Sequence, residues 1–85
     1  MVTRMAKQPK LLDKAIRNAR GLRFDEFETL LRQCGWTFDR QRGSHRIWYS
    51  PQGRRLSVQA KGKRAKGYQV EQFLKYYEEE RSDEG

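Results

Sequence analysis

The fold is decided by a stretch that reads GWTFDRQRGSHRIWYSPQGRRLSVQA (residues 35–60). Apolar and polar residues alternate there in three short runs, which two turns separate at residues 43–44 and 51–53. Alternation with a period of two is typical of β-strands, and Ile47, Trp48 and Tyr49 favour them further. Because a parallel crossover needs a dozen or more residues, turns this short join antiparallel neighbours. The stretch therefore predicts a three-stranded antiparallel sheet.

On both sides of this stretch the apolar period lengthens from two to about 3.6, which indicates helices. Upstream, the pattern predicts one helix over residues 10–19 and a second over residues 24–34, with Gly21 and Gly35 as their stops. Downstream, the spacing predicts a closing helix over residues 68–77, on which apolar residues recur at i, i+3, i+4 and i+7: Val70, Phe73, Leu74 and Tyr77.

Residues 61–67, between the third strand and the closing helix, are basic and contain glycine, which predicts a loop. The resulting order is α-α-β-β-β-α. We therefore expect a small α+β domain with the helices packed on one face of the three-stranded sheet.

The length of 85 residues allows one domain, which we expect at residues 10–78, between a flexible tail (1–9) and an acidic flexible tail (79–85). A lone Cys34 excludes an internal disulfide and suits a reducing compartment. One Cys and one His cannot build a usual structural zinc site, and we expect neither a metal nor another cofactor. The sequence contains no run of 18 apolar residues and no apolar leader, so we expect a cytoplasmic protein without a membrane span.

Charge is the strongest signal in the composition. The chain carries 19 basic and 11 acidic residues, a net charge of +8, and residues 40–66 hold nine basic residues without an acidic one. A block of one sign creates a positive field that attracts phosphate backbones, so we interpret it as a surface for nucleic acid or another polyanion. The alternative is a set of solvated charges that maintain solubility.

The sequence Gly43-Ser44-His45 contains the only histidine of the chain and is flanked by Arg42 and Arg46. Glycine allows backbone conformations closed to other residues, and it lets a phosphate approach the main chain. Histidine exchanges protons near neutral pH, so His45 could serve in acid–base chemistry. A surface histidine without a role is the alternative.

Several parts of the chain, in this order and spacing, resemble the HicA (YcfA-like) family, in the version with an extra N-terminal helix. These parts are Leu30-Leu31, Gly35-Trp36, Arg42-Gly43-Ser44-His45, Leu56-Ser57-Val58, Gly62-Lys63, and the segment Ala65-Lys66-Gly67-Tyr68-Gln69-Val70. The chain departs from the family pattern at Gln59-Ala60-Lys61, where many members carry a further histidine or proline. It also has Arg23, a poor N-cap, where the second helix begins.

The resemblance implies a fold like that of double-stranded-RNA-binding domains, a metal-independent mRNA endoribonuclease activity, and a HicB-like antitoxin as partner. Carried over by position, His45 is the catalytic residue, and Gly43 and Ser44 shape its turn. An RNase of this kind needs cations near the scissile phosphate. We expect the RNA-binding residues to be Arg42, Gly43, Ser44, Arg46, Lys61, Lys63 and Lys66.

Two other functions stay open at this point. A non-catalytic RNA-binding module of the same fold would use the same basic face, and a protein-interaction domain would bind an acidic partner with it. His45 separates the first of these from an enzyme, because binding alone gives no reason for histidine over lysine at that position.

Overall fold

The computed structural model describes residues 9–84. Its elements follow in the order α1 (Lys10–Arg17), a 3-10 turn (Ala19–Gly21), α2 (Phe24–Gln33), β1 (Thr37–Arg42), β2 (His45–Tyr49), β3 (Arg55–Val58), β4 (Ala60–Lys61), β5 (Arg64–Ala65) and α3 (Gly67–Glu84). The α+β architecture and the three-stranded antiparallel sheet are confirmed. The expected tail at residues 1–9 lies, except for Pro9, outside the described residues.

The main sheet has the order β1-β2-β3, with β2 in the centre and both pairings antiparallel. In the register, Arg42 lies opposite His45, Trp48 opposite Leu56, and Arg46 opposite Val58. A bulge interrupts the β1–β2 pairing between Phe38 and Arg40. Because strand residues alternate between faces, this register fixes which side chains share each side of the sheet.

The core lies between one face of this sheet and the helices. Trp48 and Val58 of the sheet are fully buried, as are Phe27 of α2 and Phe73 of α3, whose rings meet edge to face at 5.9 Å. The rest of the buried cluster comes from the main sheet, the three helices, β5 and the residues just before α2 and β1: Leu12, Ala15, Leu22, Leu30, Leu31, Trp36, Leu56, Ala65 and Val70. Most of the predicted apolar stripes are therefore packed, but Ile16 of the stripe predicted for the first helix is 58% exposed.

The second helix begins after Arg23, and Glu26 supplies the cap that Arg23 cannot. A carboxylate oxygen of Glu26 accepts a hydrogen bond from the Arg23 backbone N–H at 2.9 Å, which is half of a capping box. The same carboxylate accepts from Lys14 Nζ at 3.0 Å and so ties α1 to α2. The Arg23 N–H first, and then the Lys14 ammonium, lower the pKa of Glu26 below its ordinary value.

Residues 61–67 correct the sequence prediction of a loop, because most of them form a second hairpin. Strands β4 and β5 pair through Ala60 with Ala65 and Lys61 with Arg64. Two backbone bonds hold this hairpin on the body: Phe24 N–H donates to the Lys63 carbonyl at 2.9 Å, and Ala65 N–H donates to the Leu22 carbonyl at 3.1 Å. Composition does not reveal such tertiary backbone bonds.

The closing helix is also longer than the pattern predicts. It begins at Gly67 and continues to Glu84, through part of the stretch expected to be an acidic tail. Contacts with the β2–β3 turn stabilise the extension: Arg54 forms an ion pair with Glu79 at 3.2 Å, and Gln52 Nε2 donates to the Glu80 carbonyl at 3.3 Å. Glu80 is only 7% exposed, so it is not one of the solvated charges of a flexible tail.

Candidate functional site

The strand β2 separates His45 from the core. Trp48 on this strand is fully buried in the core, and Arg46 lies on the same side because strand residues two apart share a face. His45, Ile47 and Tyr49 therefore lie on the opposite face, away from the helices. His45 is exposed, and it occupies the first position of the strand directly after the β1–β2 turn.

The face that carries His45 is basic. Arg42 lies directly opposite His45 on β1, and Arg40 lies opposite Ile47. On the other side Arg55 lies opposite Tyr49, so exposed arginines stand on both neighbouring strands. We call the surface formed by Arg40, Arg42, His45, Tyr49, Arg55 and Ser57 the open face.

Ser57 of β3 is the polar partner of the histidine ring. Its Oγ lies 3.2 Å from His45 Nδ1, which is hydrogen-bond distance. A partner at Nδ1 holds the ring in one orientation and leaves Nε2 as the nitrogen that a ligand on the open face can meet. The sequence analysis did not name Ser57, although the register of β2 and β3 would have placed it on the side of His45.

The turn before His45 requires glycine for its backbone. Gly43 has φ +61°, in the left-handed region, and a Cβ there would meet no atom within 4 Å. Conformation and not crowding is therefore the reason for glycine at this position. The side-chain amide of Gln41 donates to the Gly43 carbonyl at 2.9 Å and holds the turn, which presents its free surface to solvent.

Ser44 joins the turn to the second hairpin and to the start of α3. Gln59 Nε2 donates to Ser44 Oγ at 2.6 Å, and Gln59 Oε1 accepts from Lys66 Nζ at 2.7 Å. The Gln59 backbone N–H in turn donates to Gln69 Oε1 at 2.9 Å. Gln59, which departs from the family pattern, therefore holds the predicted residues Ser44 and Lys66 in one connected group beside His45.

Arg46 does not belong to this group. Its Nε donates to a carboxylate oxygen of Glu28, its Nη1 donates to Gln41 Oε1 at 2.9 Å, and its guanidinium lies 4.2 Å from the centre of the Phe38 ring. Glu28 also accepts from Trp48 Nε1 at 3.1 Å. The structure thus places Arg46 on the helix side of the sheet, where acidic and aromatic side chains hold it.

Lys61 and Lys63 are exposed on the second hairpin, Lys61 in β4 and Lys63 in the turn after it. Lys66, which follows this hairpin in sequence, is the lysine that Gln59 joins to the turn of His45. The predicted basic residues therefore divide into three sets: Arg42 on the open face, the lysines of the second hairpin and Lys66 beside it, and Arg46 behind the sheet.

Cys34, the residue that carries the thiol of this chain, lies at the end of α2. Burial raises the pKa of the Cys34 thiol to about 11, so it is overwhelmingly protonated at neutral pH. Within residues 9–84, no three His, Cys, Asp or Glu side chains are grouped as a metal site requires. None of the helices described for this chain is both long enough and apolar enough to cross a membrane.

Comparison with known families identifies the chain. A family model described as the HicA toxin of bacterial toxin–antitoxin systems matches residues 24–77, which is more than half of the sequence. Comparisons with curated proteins and with solved structures gave no significant match. The match covers α2, the main sheet, the second hairpin and most of α3, and so includes the entire open face. The chain belongs to the HicA toxin family of bacterial toxin–antitoxin systems.

Proposed function

We propose that this protein is a metal-independent endoribonuclease that cleaves mRNA in the cytoplasm and uses His45 as its catalytic residue. The observation that carries the proposal is the position of His45: it is exposed on a basic face, at the start of β2 beside the turn, with Nδ1 at hydrogen-bond distance from Ser57. Membership of a toxin family supports the proposal, because an enzyme that destroys mRNA stops growth.

The chemistry fits the side chains on the open face. RNA supplies its own nucleophile, the 2′-hydroxyl, so the enzyme needs only a proton acceptor for that hydroxyl and cations near the phosphate. With Nδ1 protonated and donating to Ser57, Nε2 carries the lone pair and can accept the proton. The 2′-oxygen then bonds to phosphorus, the bond to the 5′-oxygen breaks, and a proton from solvent reaches the departing oxygen.

The cations that would stabilise the charge on phosphate are Arg42, opposite His45, and Lys66, which Gln59 holds beside the turn. Gly43 and Ser44 contribute an open turn to which a phosphate can come close. Arg46 is left out of this set because Glu28 and Gln41 occupy its guanidinium. Lys61 and Lys63 would contact RNA farther along the chain of nucleotides.

As partner we propose a HicB-like antitoxin that covers the open face. Toxin–antitoxin systems pair the toxin with an inhibitor, and a face with three exposed arginines would be complementary to an acidic surface on that inhibitor. Coverage of His45 would block access of RNA.

The test is RNA cleavage by wild type and His45→Ala in the presence of EDTA. Loss of the proton-transfer group should slow cleavage by about 10²–10⁴-fold, whereas removal of an exposed side chain alters stability by about 0.5 kcal/mol. Thr29→Ala, which changes an exposed residue of α2 outside the open face, is the matched control and should cleave as wild type does. Thermal melts of all three proteins check folding.

Equal cleavage by wild type and His45→Ala would remove His45 from the mechanism. RNA binding without cleavage by either protein would favour the non-catalytic RNA-binding module.

A further inference from the structure

A cleft of about 870 Å³ opens where the second hairpin meets the 3-10 turn and the start of α3. Its volume lies in the range of sites that hold a small organic ligand. Four basic side chains line it, together with one tyrosine, one carboxylate and three small residues; the charged and aromatic ones are Arg20, Lys61, Arg64, Lys66, Tyr68 and Glu71. The family match begins at residue 24, so Arg20 adds a cation from outside the matched region.

The two arginines of this cleft lie against the backbone of neighbouring elements. Arg64 Nη1 donates to the Arg20 carbonyl at 3.3 Å, which joins the second hairpin to the 3-10 turn. The Arg20 side chain passes over Gly67, where a Cβ atom would lie 2.6 Å from Arg20 Cγ. Glycine at position 67 therefore makes room for Arg20 at the mouth of the cleft.

Tyr68 is the feature that distinguishes this cleft from an ordinary basic surface. Its side chain is 65% exposed, compared with 58% for Ile16 and 36% for Phe38. A large aromatic ring kept in water gains by stacking on another flat apolar surface, and bases of single-stranded RNA offer one beside each phosphate. The tyrosine ring can thus stack on the base of a nucleotide, and the four cations around it can bind the phosphate.

We propose that this cleft binds a nucleotide of single-stranded RNA, with the base stacked on Tyr68 and the neighbouring phosphates bound by Arg20, Lys61 and Arg64. The proposal rests on the proposed function in taking RNA as the ligand. The chain of hydrogen bonds from Lys66 through Gln59 to Ser44 joins the cleft to the turn of His45, so one strand of RNA can occupy both. The cleft is then a subsite for nucleotides beside the cleaved bond.

The experiment measures binding by fluorescence anisotropy with a labelled single-stranded RNA whose riboses are 2′-O-methylated. This probe cannot be cleaved through its 2′-oxygen, so the result does not depend on catalysis. Tyr68→Leu should weaken binding by about 5- to 150-fold, the range found for loss of one base stack, whereas Tyr68→Phe should bind nearly as wild type does. Arg20→Gln should lower the salt slope by about 1, and Arg17→Gln, an exposed arginine outside the cleft, should leave the slope unchanged.

Poly-glutamate, which has charge but no bases, is the second probe. The proposal predicts that Tyr68→Leu leaves its binding unchanged. Equal affinity of wild type and Tyr68→Leu for the RNA would overturn the proposal. Equal weakening of RNA and poly-glutamate binding would also overturn it, because the cleft would then be a site for an acidic protein. Failure of His45→Ala to affect cleavage would refute the catalytic proposal and leave these binding results intact.

Discussion

Replacement of Glu28 by alanine should destabilise the fold through the face of the sheet opposite His45. The carboxylate is 11% exposed and accepts hydrogen bonds from Arg46 Nε and from Trp48 Nε1, whose side chain is fully buried. Without Glu28 the indole N–H loses its acceptor, which costs about 1–3 kcal/mol. Arg46 also loses its ion pair with Glu28. Because the Arg46 side chain is 26% exposed and keeps its hydrogen bond to Gln41, this loss costs much less than leaving a fully buried charge without a partner.

We therefore expect the free energy of unfolding to fall by about 2–3 kcal/mol in total, which corresponds to a melting temperature lower by about 8–24 °C for a domain of this size. Urea unfolding followed by tryptophan fluorescence measures the change. Glu71→Ala, at an exposed position of α3, is the control and should stay within about 0.5 kcal/mol of wild type.

A double-mutant cycle isolates the buried hydrogen bond. Trp48→Phe removes the donor, so Glu28→Ala should cost about 1–2 kcal/mol less in the Trp48→Phe background than in wild type. Equal costs in the two backgrounds would refute the reasoning. The result bears on function because Glu28 fixes Arg46 and Trp48 on one face of β2, and a register slip by one residue would turn His45 toward the helices.

Two further predictions concern charge. RNA binding should weaken with salt with a log–log slope of about −3.5 to −4.5 if five phosphates are contacted, and a flat salt dependence in a filter-binding titration would contradict a nucleic-acid surface at residues 40–66. Glu26→Ala should lower the free energy of unfolding by about 1 kcal/mol near neutral pH, because Glu26 caps α2. The pKa of Glu26 is lower in the folded than in the unfolded state, so its stabilisation is present above the unfolded pKa and is lost as pH falls through the folded pKa. Urea unfolding at several pH values should therefore show the stabilities of wild type and variant converge in acid. A difference that stays constant with pH would contradict a contribution from the ionised carboxylate.

Local patterns were sufficient for the main elements of the fold. The alternation in residues 35–60 and the helical stripes on either side arise because each element buries one face. The spacing of apolar residues along the sequence therefore shows whether that element is a strand or a helix. The second hairpin and the end of α3 were predicted incorrectly for a shared reason. Backbone hydrogen bonds with Leu22 and Phe24 hold the second hairpin, and ion pairs with Arg54 hold the end of α3. Both kinds of contact join residues that are far apart in sequence.

The candidate site also combines residues that a local motif identifies with residues that only long-range contacts bring together. His45, Gly43 and Ser44 form a short contiguous motif, so the sequence could name them. Ser57 and Gln59 come near that motif only through the pairing of β2 with β3, and Arg46 leaves it because alternation along β2 turns it toward Glu28. A count of basic residues cannot distinguish an arginine on the open face from one that is paired behind the sheet.

The measurement that tests the central claim most directly is the identity of the RNA ends that the wild-type protein produces in EDTA. If the 2′-hydroxyl is the nucleophile and His45 takes its proton, the products carry a 2′,3′-cyclic phosphate, or the phosphate formed from it, and a 5′-hydroxyl. His45→Ala should then yield neither end above background. Products with a 3′-hydroxyl and a 5′-phosphate, or cleavage that requires a divalent cation, would contradict the account.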